Sequence, residues 1–320
     1  MPVVRIIAAV ALFTAALLAA GAFWVEAVVI RRSGASIGRA LWKKPRPKGA
    51  AAPVSPSQRI KQEGFAWLKG QNAARVTISS REGLKLCGYY LPAQNPNGRC
   101  ALLIHGYRGA GGREETGWLS RAYHRMGFNV LMPDNRAHGE SEGRYLGMGW
   151  LDSDDCARWI DYLVKTQPDA QILLHGVSMG AAAAIMACAK RPPAAVRGVV
   201  ADSCFSCLYE VLRLKAHRSL RIPAEPLMPA ADLWNRLRHG YSFRQVSPAA
   251  AIKAIGVPIL LIHGAEDTLV PPEMAQILYE AAPAKKELWL APGAGHAEAY
   301  AVDPSGYEKK LWAFAERVLK

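Results

Sequence analysis

Leu174-His175-Gly176-Val177-Ser178-Met179-Gly180-Ala181 is the stretch from which the rest of the chain is read. It has the form Gly-x-Ser-x-Gly. An apolar run precedes it (Ile172, Leu173, Leu174) and an alanine-rich run follows, residues 181–189. That succession predicts a strand, a sharp turn and a helix. A serine on such a turn is lifted clear of a sheet, where a substrate and a histidine both reach it. Side chains at 176 and 180 would collide with the neighbouring strand and helix, so both positions call for glycine.

Strand-like and helix-like patterns alternate on both sides of this turn. Residues 75–79 and 84–91 read as two opening strands joined at Glu82-Gly83, and 100–105 as a short apolar strand. Residues 114–126 read as a helix, 128–133 as a strand, and 151–165 as a helix stopped by Pro168. Strand 171–175 and helix 178–190 flank the serine. Strands 196–202, 257–263 and 286–291 follow, with helices at 272–282 and 305–319. Such alternation implies a mostly parallel sheet with helices on both faces. Residues 204–246 break the rhythm. They hold Pro223, Pro226 and Pro229 between helical pieces at 208–220 and 230–239. An insertion there is expected to pack over the active-site mouth as a lid. Its Leu208, Val211, Leu212, Leu227, Leu233 and Leu237 would face the pocket or core, with Arg213, Arg218 and the other arginines outward.

The net charge of +14 is concentrated at one end: residues 1–64 hold ten Lys/Arg against two acidic residues. A nucleic-acid surface wants basic residues and stacking aromatics on a folded face, and no such motif is present. The six cysteines are scattered through a large domain, unlike a disulfide scaffold, and read as unpaired thiols of a reducing compartment. No His-x-x-x-His or carboxylate cluster suggests a metal, and no cofactor is implied.

Residues 6–30 are apolar except for Glu26, and the unbroken part, 6–25, is about long enough to cross a bilayer. Residues 1–30 are therefore read as a transmembrane anchor, 31–73 as a basic Pro/Ala-rich tether and lead-in, and 74–320 as the catalytic domain. Arg5 stands on one side of the span. Arg31, Arg32, Arg39, Lys43, Lys44, Arg46 and Lys48 stand on the other, which places the domain on the cytoplasmic side. The tether and the lid arginines point to an anionic membrane lipid surface as partner, against the plainer reading of solvated charges. The alternative for the whole segment is a cleaved signal, because Ala20-Gly21-Ala22 resembles a signal-peptidase site; the protein would then be secreted, starting at Phe23.

Five motifs in order make the chain resemble the α/β-hydrolase superfamily: Leu103-Ile104-His105-Gly106-Tyr107-Arg108-Gly109; Asp134-Asn135-Arg136-Ala137-His138-Gly139-Glu140-Ser141; the serine turn; Ile262-His263-Gly264-Ala265-Glu266-Asp267-Thr268-Leu269-Val270-Pro271; and Gly293-Ala294-Gly295-His296. The likeness runs from about Val76 to Lys320, the lid apart, and is greatest to single-pass serine hydrolases with a short helical lid. It implies a triad in the order Ser178, Asp267, His296. Ser178 would be the nucleophile, His296 the base, and Asp267 the acid that fixes the imidazole. Glu266 stands one residue off the family spacing. Asp202 is a substitute acid or, on the plainer reading, a turn or cap residue. The backbone N–H groups of Tyr107 and Met179 would form the oxyanion hole. His105, His175 and His263 read as structural, bonding loop backbone. Ala137 stands where the family has glycine, which puts that loop's shape in question. The activity implied is cleavage of a carboxylic ester or thioester through an acyl-enzyme. The alternatives are a serine peptidase of the same fold and a non-catalytic binding protein that retains it.

Overall fold

The computed structural model describes residues 2–32, 55–95, 97–190, 192–220, 224–283 and 285–319. Most of the expected tether lies outside them. In chain order the elements are α1 (Pro2–Val25) with a π-helical turn Glu26–Ile30, α2 (Pro56–Lys69), β1 (Ala74–Ser79), β2 (Lys85–Leu91), β3 (Arg99–Ile104), α3 (Gly112–Arg125), β4 (Asn129–Pro133) and α4 (Trp150–Thr166). Then come β5 (Gln171–Val177), α5 (Met179–Cys188), β6 (Val196–Asp202), α6 (Leu208–Lys215), α7 (Ala224–His239), β7 (Ile259–Gly264), α8 (Pro272–Ala281), β8 (Lys286–Ala291) and α9 (Pro304–Val318). The expected strands and helices are all present, with ends shifted by a residue or two outside the insertion; there the helix expected at 230–239 begins at Ala224, and the piece expected at 208–220 is α-helical to Lys215 and then a π-helical turn, Ala216–Leu220.

The eight strands form one sheet in the order β1-β2-β4-β3-β5-β6-β7-β8. The β1–β2 and β2–β4 pairs are antiparallel, and every later pair is parallel. Burial follows position. Strands β4 and β7 are buried along their whole length, as strands covered on both faces must be, whereas the edge strands β1 and β8 are half exposed. Leu103, Leu173, Val200, Leu260 and Ile262 form the middle of the core with Trp118, Tyr123, Tyr307 and Phe314 from the helices. Parallel strands point their C-terminal ends the same way, so the loops after β3, β5, β6, β7 and β8 gather at one edge.

Residues 56–69, read above only as lead-in, form α2. Ser55 caps it: its hydroxyl accepts the Gln58 N–H, the Gln58 side chain accepts the Ser55 N–H, and Pro56 opens the helix. Helix α2 crosses α3 backbone to backbone at Gly64 and Gly117. A Cβ on Gly64 would stand 2.3 Å from the Trp118 nitrogen.

The chain divides into two compact units. Residues 47–206 with 247–320 are one; residues 1–46 with 207–246 are the other. In the second unit, Leu208, Val211 and Leu212 are buried as expected, but Leu233 and Leu237 are 56% and 77% exposed, against expectation. The face of α7 that carries them is not the one turned inward, where Met228, Ala231 and Asn235 lie buried.

Candidate active site

The serine turn is built by close contact. A Cβ on Gly176 would stand 2.2 Å from the Gly180 carbonyl oxygen, and one on Gly180 would stand 2.1 Å from that of Ile104. Both glycines are therefore fixed by steric necessity, one against the helix and one against β3. Ser178 between them has φ 54° and ψ −114°, a backbone region that costs a non-glycine residue about 1–3 kcal/mol. Its N–H donates to the Asp202 carbonyl at 2.8 Å, and its carbonyl accepts the Ala182 N–H at 3.1 Å, which starts α5.

Three expected residues meet at the C-terminal edge of the sheet. His296, on the loop after β8, stands with Nε2 2.9 Å from Ser178 Oγ and Nδ1 2.6 Å from Asp267 Oδ2. An acidic partner at Nδ1 holds the proton there and leaves Nε2 free to accept from the serine. Asp267 follows β7 and is buried. Its Oδ1 accepts the N–H groups of Leu269 and Val270, each at 2.9 Å. Burial works against its charge, but hydrogen bonds from His263, His296 and the backbone outweigh it, so the carboxyl stays well below the usual range. Glu266 is exposed, with no such surroundings.

The two expected oxyanion donors lie on either side of Ser178. Met179 is the first residue of α5, where a backbone N–H has no partner within the helix. Tyr107 follows Gly106, whose Cβ position is 3.5 Å from Ser178 Cβ. The loop that carries Tyr107 is braced from behind. Arg108 takes φ 55° and donates its N–H to His138 Nε2 at 3.1 Å, while His138 Nδ1 donates to the Arg136 carbonyl at 2.9 Å. His105 Nδ1 donates to the Gly106 carbonyl, and its Nε2 accepts the Asn135 N–H. Burial pushes the pKa of His105 down, which keeps the ring neutral. Ala137 takes φ 60°, so the loop keeps a left-handed turn without glycine.

The remaining histidines divide. His263 bonds loop backbone as expected, through the Val270 carbonyl at 2.9 Å, but it also lies 3.4 Å from Asp267 Oδ2. It is thus a second imidazole beside the same carboxylate. Burial opposes its protonation, yet the bonds to Asp267 and Val270 raise its pKa. His175 touches side chains, not loop backbone: Tyr123 Oη at 3.0 Å and Tyr307 Oη at 3.1 Å. Burial drives its pKa down to about 3. Tyr307 donates to Asp202 Oδ2 at 2.9 Å, Ser203 Oγ donates to Asp202 Oδ1 at 2.8 Å, and Ser203 Oγ accepts the Ala297 N–H at 3.0 Å. Asp202 is therefore neither an exposed turn residue nor a hydrogen-bond partner of His296. It anchors the backbone next to that histidine. No local pattern marks Tyr123, Tyr307 or Ser203 for this role, since they meet His175 and Asp202 only in the fold.

Comparison with known proteins agrees with this architecture. Residues 101–307 match the model of the Alpha/beta hydrolase family. YqkD of Bacillus subtilis, described as uncharacterized, is 34% identical over 194 residues, 60% of this chain and 64% of its own length. Rv2307c of Mycobacterium tuberculosis, likewise uncharacterized, is 30% identical over 223 residues, 69% of this chain and 71% of its own. Among solved structures, the Pyrococcus furiosus esterase Pf2001 is similar with a TM-score of 0.65 at 24% identity, over 87% of this chain and 100% of that one. The acylaminoacyl peptidase of Pyrococcus horikoshii is similar with a TM-score of 0.58 at 18% identity, over 80% of this chain and 43% of that one. At these identities the structural likeness carries the fold and nothing finer.

Proposed function

Because this chain belongs to the alpha/beta hydrolase family, we propose that it is a serine hydrolase that cleaves a carboxylic ester or thioester through an acyl-enzyme. The observation that carries the reading is the continuous relay from Ser178 Oγ through His296 to Asp267, at 2.9 and 2.6 Å. Ser178 Oγ attacks the carbonyl carbon as His296 Nε2 takes its proton. The oxyanion that forms is stabilised by the N–H groups of Met179 and Tyr107. Collapse breaks the bond to the alcohol or thiol, which leaves with the proton from His296. Water then attacks the acyl-serine with His296 again as base, releasing the acid and restoring Ser178.

Labelling by a fluorophosphonate and turnover of a p-nitrophenyl ester series test the reading. Ser178→Ala should abolish labelling and cut turnover on the order of 10³-fold or more. Near-normal turnover by a folded Ser178→Ala protein would end it. Aminoacyl amides in the same panel separate esterase from peptidase, a reading kept open by the peptidase with this fold.

We also infer that α1 is a membrane anchor, with the catalytic unit on the cytoplasmic side and anionic lipid as its partner surface. Ile7–Ile30 is a stretch of 24 residues with mean hydropathy 2.1, long and apolar enough to cross a bilayer. Resistance of the full chain to carbonate extraction supports this; a processed protein beginning at Phe23 refutes it.

A further inference from the structure

The charge that interrupts the apolar segment is buried against the lid insertion. Glu26 is 1% exposed. Trp234 Nε1, on α7, donates to its Oε2 at 2.6 Å, and Arg31 Nε donates to its Oε1 at 3.3 Å. His239 Nε2, at the end of α7, stands 3.7 Å from Oε1. The contact continues in apolar groups. Phe23 meets the Trp234 ring edge-on at 6.3 Å between centroids, with the Arg31 guanidinium over the Phe23 ring. Gly21 lies so near Leu227 that a Cβ would stand 2.8 Å from its Cδ1. Ala22, Val25, Val28 and Ile30 are buried as well. A buried carboxylate without partners would be severely destabilising, so Glu26 holds α1 and α7 to one arrangement.

Toward its start α1 is bare, with Leu12 72% exposed and Ile7 and Phe13 much the same. From Val4 to Ala20 the helix rises about 25 Å, close to the roughly 30 Å of a hydrocarbon core. If that bare part crosses the bilayer, the covered end emerges among the headgroups and brings α7 to the same level. There α7 exposes Leu233 and Leu237, one turn apart, beside the exposed Arg236 and Arg238. Leucines for the acyl boundary and arginines for phosphates are what a helix lying in a membrane interface presents.

We propose that α7 is an interfacial helix: Glu26 clasps it to the membrane helix, Leu233 and Leu237 enter the acyl boundary, and Arg236 and Arg238 contact anionic headgroups. This rests on the anchor reading and sharpens it, because the lipid partner then meets one named helix of the insertion, fixed to α1 through Glu26.

The test uses the full chain with Cys207→Ser, the cysteine that is not buried, reconstituted in phosphatidylcholine vesicles with and without phosphatidylglycerol. An NBD fluorophore is placed at Leu237→Cys or, as a control in the catalytic unit, at the exposed Arg81→Cys. Lipid brominated near the headgroup should quench the label at 237 several-fold more than at 81, and aqueous iodide should do the reverse. Adding Glu26→Ala should remove the lipid quenching at 237, and Glu26→Gln, whose amide oxygen still accepts from Trp234, should keep part of it. Arg236→Glu with Arg238→Glu should weaken the quenching most where phosphatidylglycerol is present. Iodide quenching at 237 in a protein that resists carbonate overturns the interfacial helix and leaves the anchor standing. Carbonate extraction of the unmodified protein overturns both. Lipid quenching that survives Glu26→Ala overturns the clasp.

Discussion

Strands β6 and β7 are neighbours, and each delivers a buried aspartate to the same edge of the sheet. The two carboxyls are held in opposite ways. Asp267 receives two histidines and two backbone N–H groups, and stays charged far into acid. Among the described residues Asp202 receives the hydroxyls of Tyr307 and Ser203, and burial raises its pKa despite them. Burial alone therefore does not decide ionisation; the number of donors turned on the carboxylate does. The carboxylate held by two imidazoles and two backbone N–H groups suits the support of a developing imidazolium. The one held by two hydroxyls suits holding a backbone in place.

Substitution should separate the two most sharply in turnover. Asp267→Asn should lower kcat/KM for a p-nitrophenyl ester by about 10³–10⁴, because the histidine loses the partner that fixes its tautomer. Asp202→Asn should change it by no more than about tenfold, the scale of one neutral hydrogen bond. Equal losses, or the reverse order, would show that the acid has been assigned to the wrong strand.

Stability against pH offers a second separation, through a third buried carboxyl. Asp152, at the start of α4, accepts the Gly149 N–H on Oδ2 at 2.7 Å, while its Oδ1 has no hydrogen-bond partner among the described residues. Burial, with the nearby Asp155, raises its pKa to about 7. A raised acid binds its proton more tightly when folded. Stability is then full below the unfolded value, about 3.8, and falls as pH rises until the folded value is passed. Asp267, lowered, has the opposite sign: its contribution is present above about 3.8 and is lost toward acid. Asp152→Asn should leave Tm nearly unchanged at pH 4 and raise stability by on the order of 2–4 kcal/mol at pH 8. A constant offset across that range would show that Asp152 does not titrate with folding.

The smallest expected effect lies in the Asp202 network. Ser203→Ala removes the acceptor of the Ala297 N–H and should cost about 1–3 kcal/mol of stability. A few-fold fall in kcat at constant KM should accompany it, because the His296 loop loses a tie. Loss of stability with unchanged kcat would make the tie purely structural.

The parts of this molecule legible in sequence are those written locally. The glycines at 176 and 180 answer contacts that any such turn makes, and the strands beside them are continuous apolar runs. Helix α2 was legible too, in Ser55-Pro56-Ser57-Gln58, a cap signature hidden by its Pro- and Ala-rich surroundings. The Tyr123–His175–Tyr307–Asp202 chain was not, since its members are brought from four separate elements by the sheet order alone. Leu233 and Leu237 were misplaced for a related reason. Their spacing fits an inward face, but α7 turns Met228, Ala231 and Asn235 inward instead.

The backbone at Ser178 has a bearing on descent. At φ 54° and ψ −114°, glycine would relieve the turn, and neighbouring backbone already leaves no room for larger residues at 176 and 180. Selection for stability alone would thus drift position 178 toward glycine, one substitution away in kind and gentler on folding. A lineage that had abandoned the hydroxyl would be free to take that step. On the proposed reading, Ser178 keeps its strained geometry because its hydroxyl is the nucleophile.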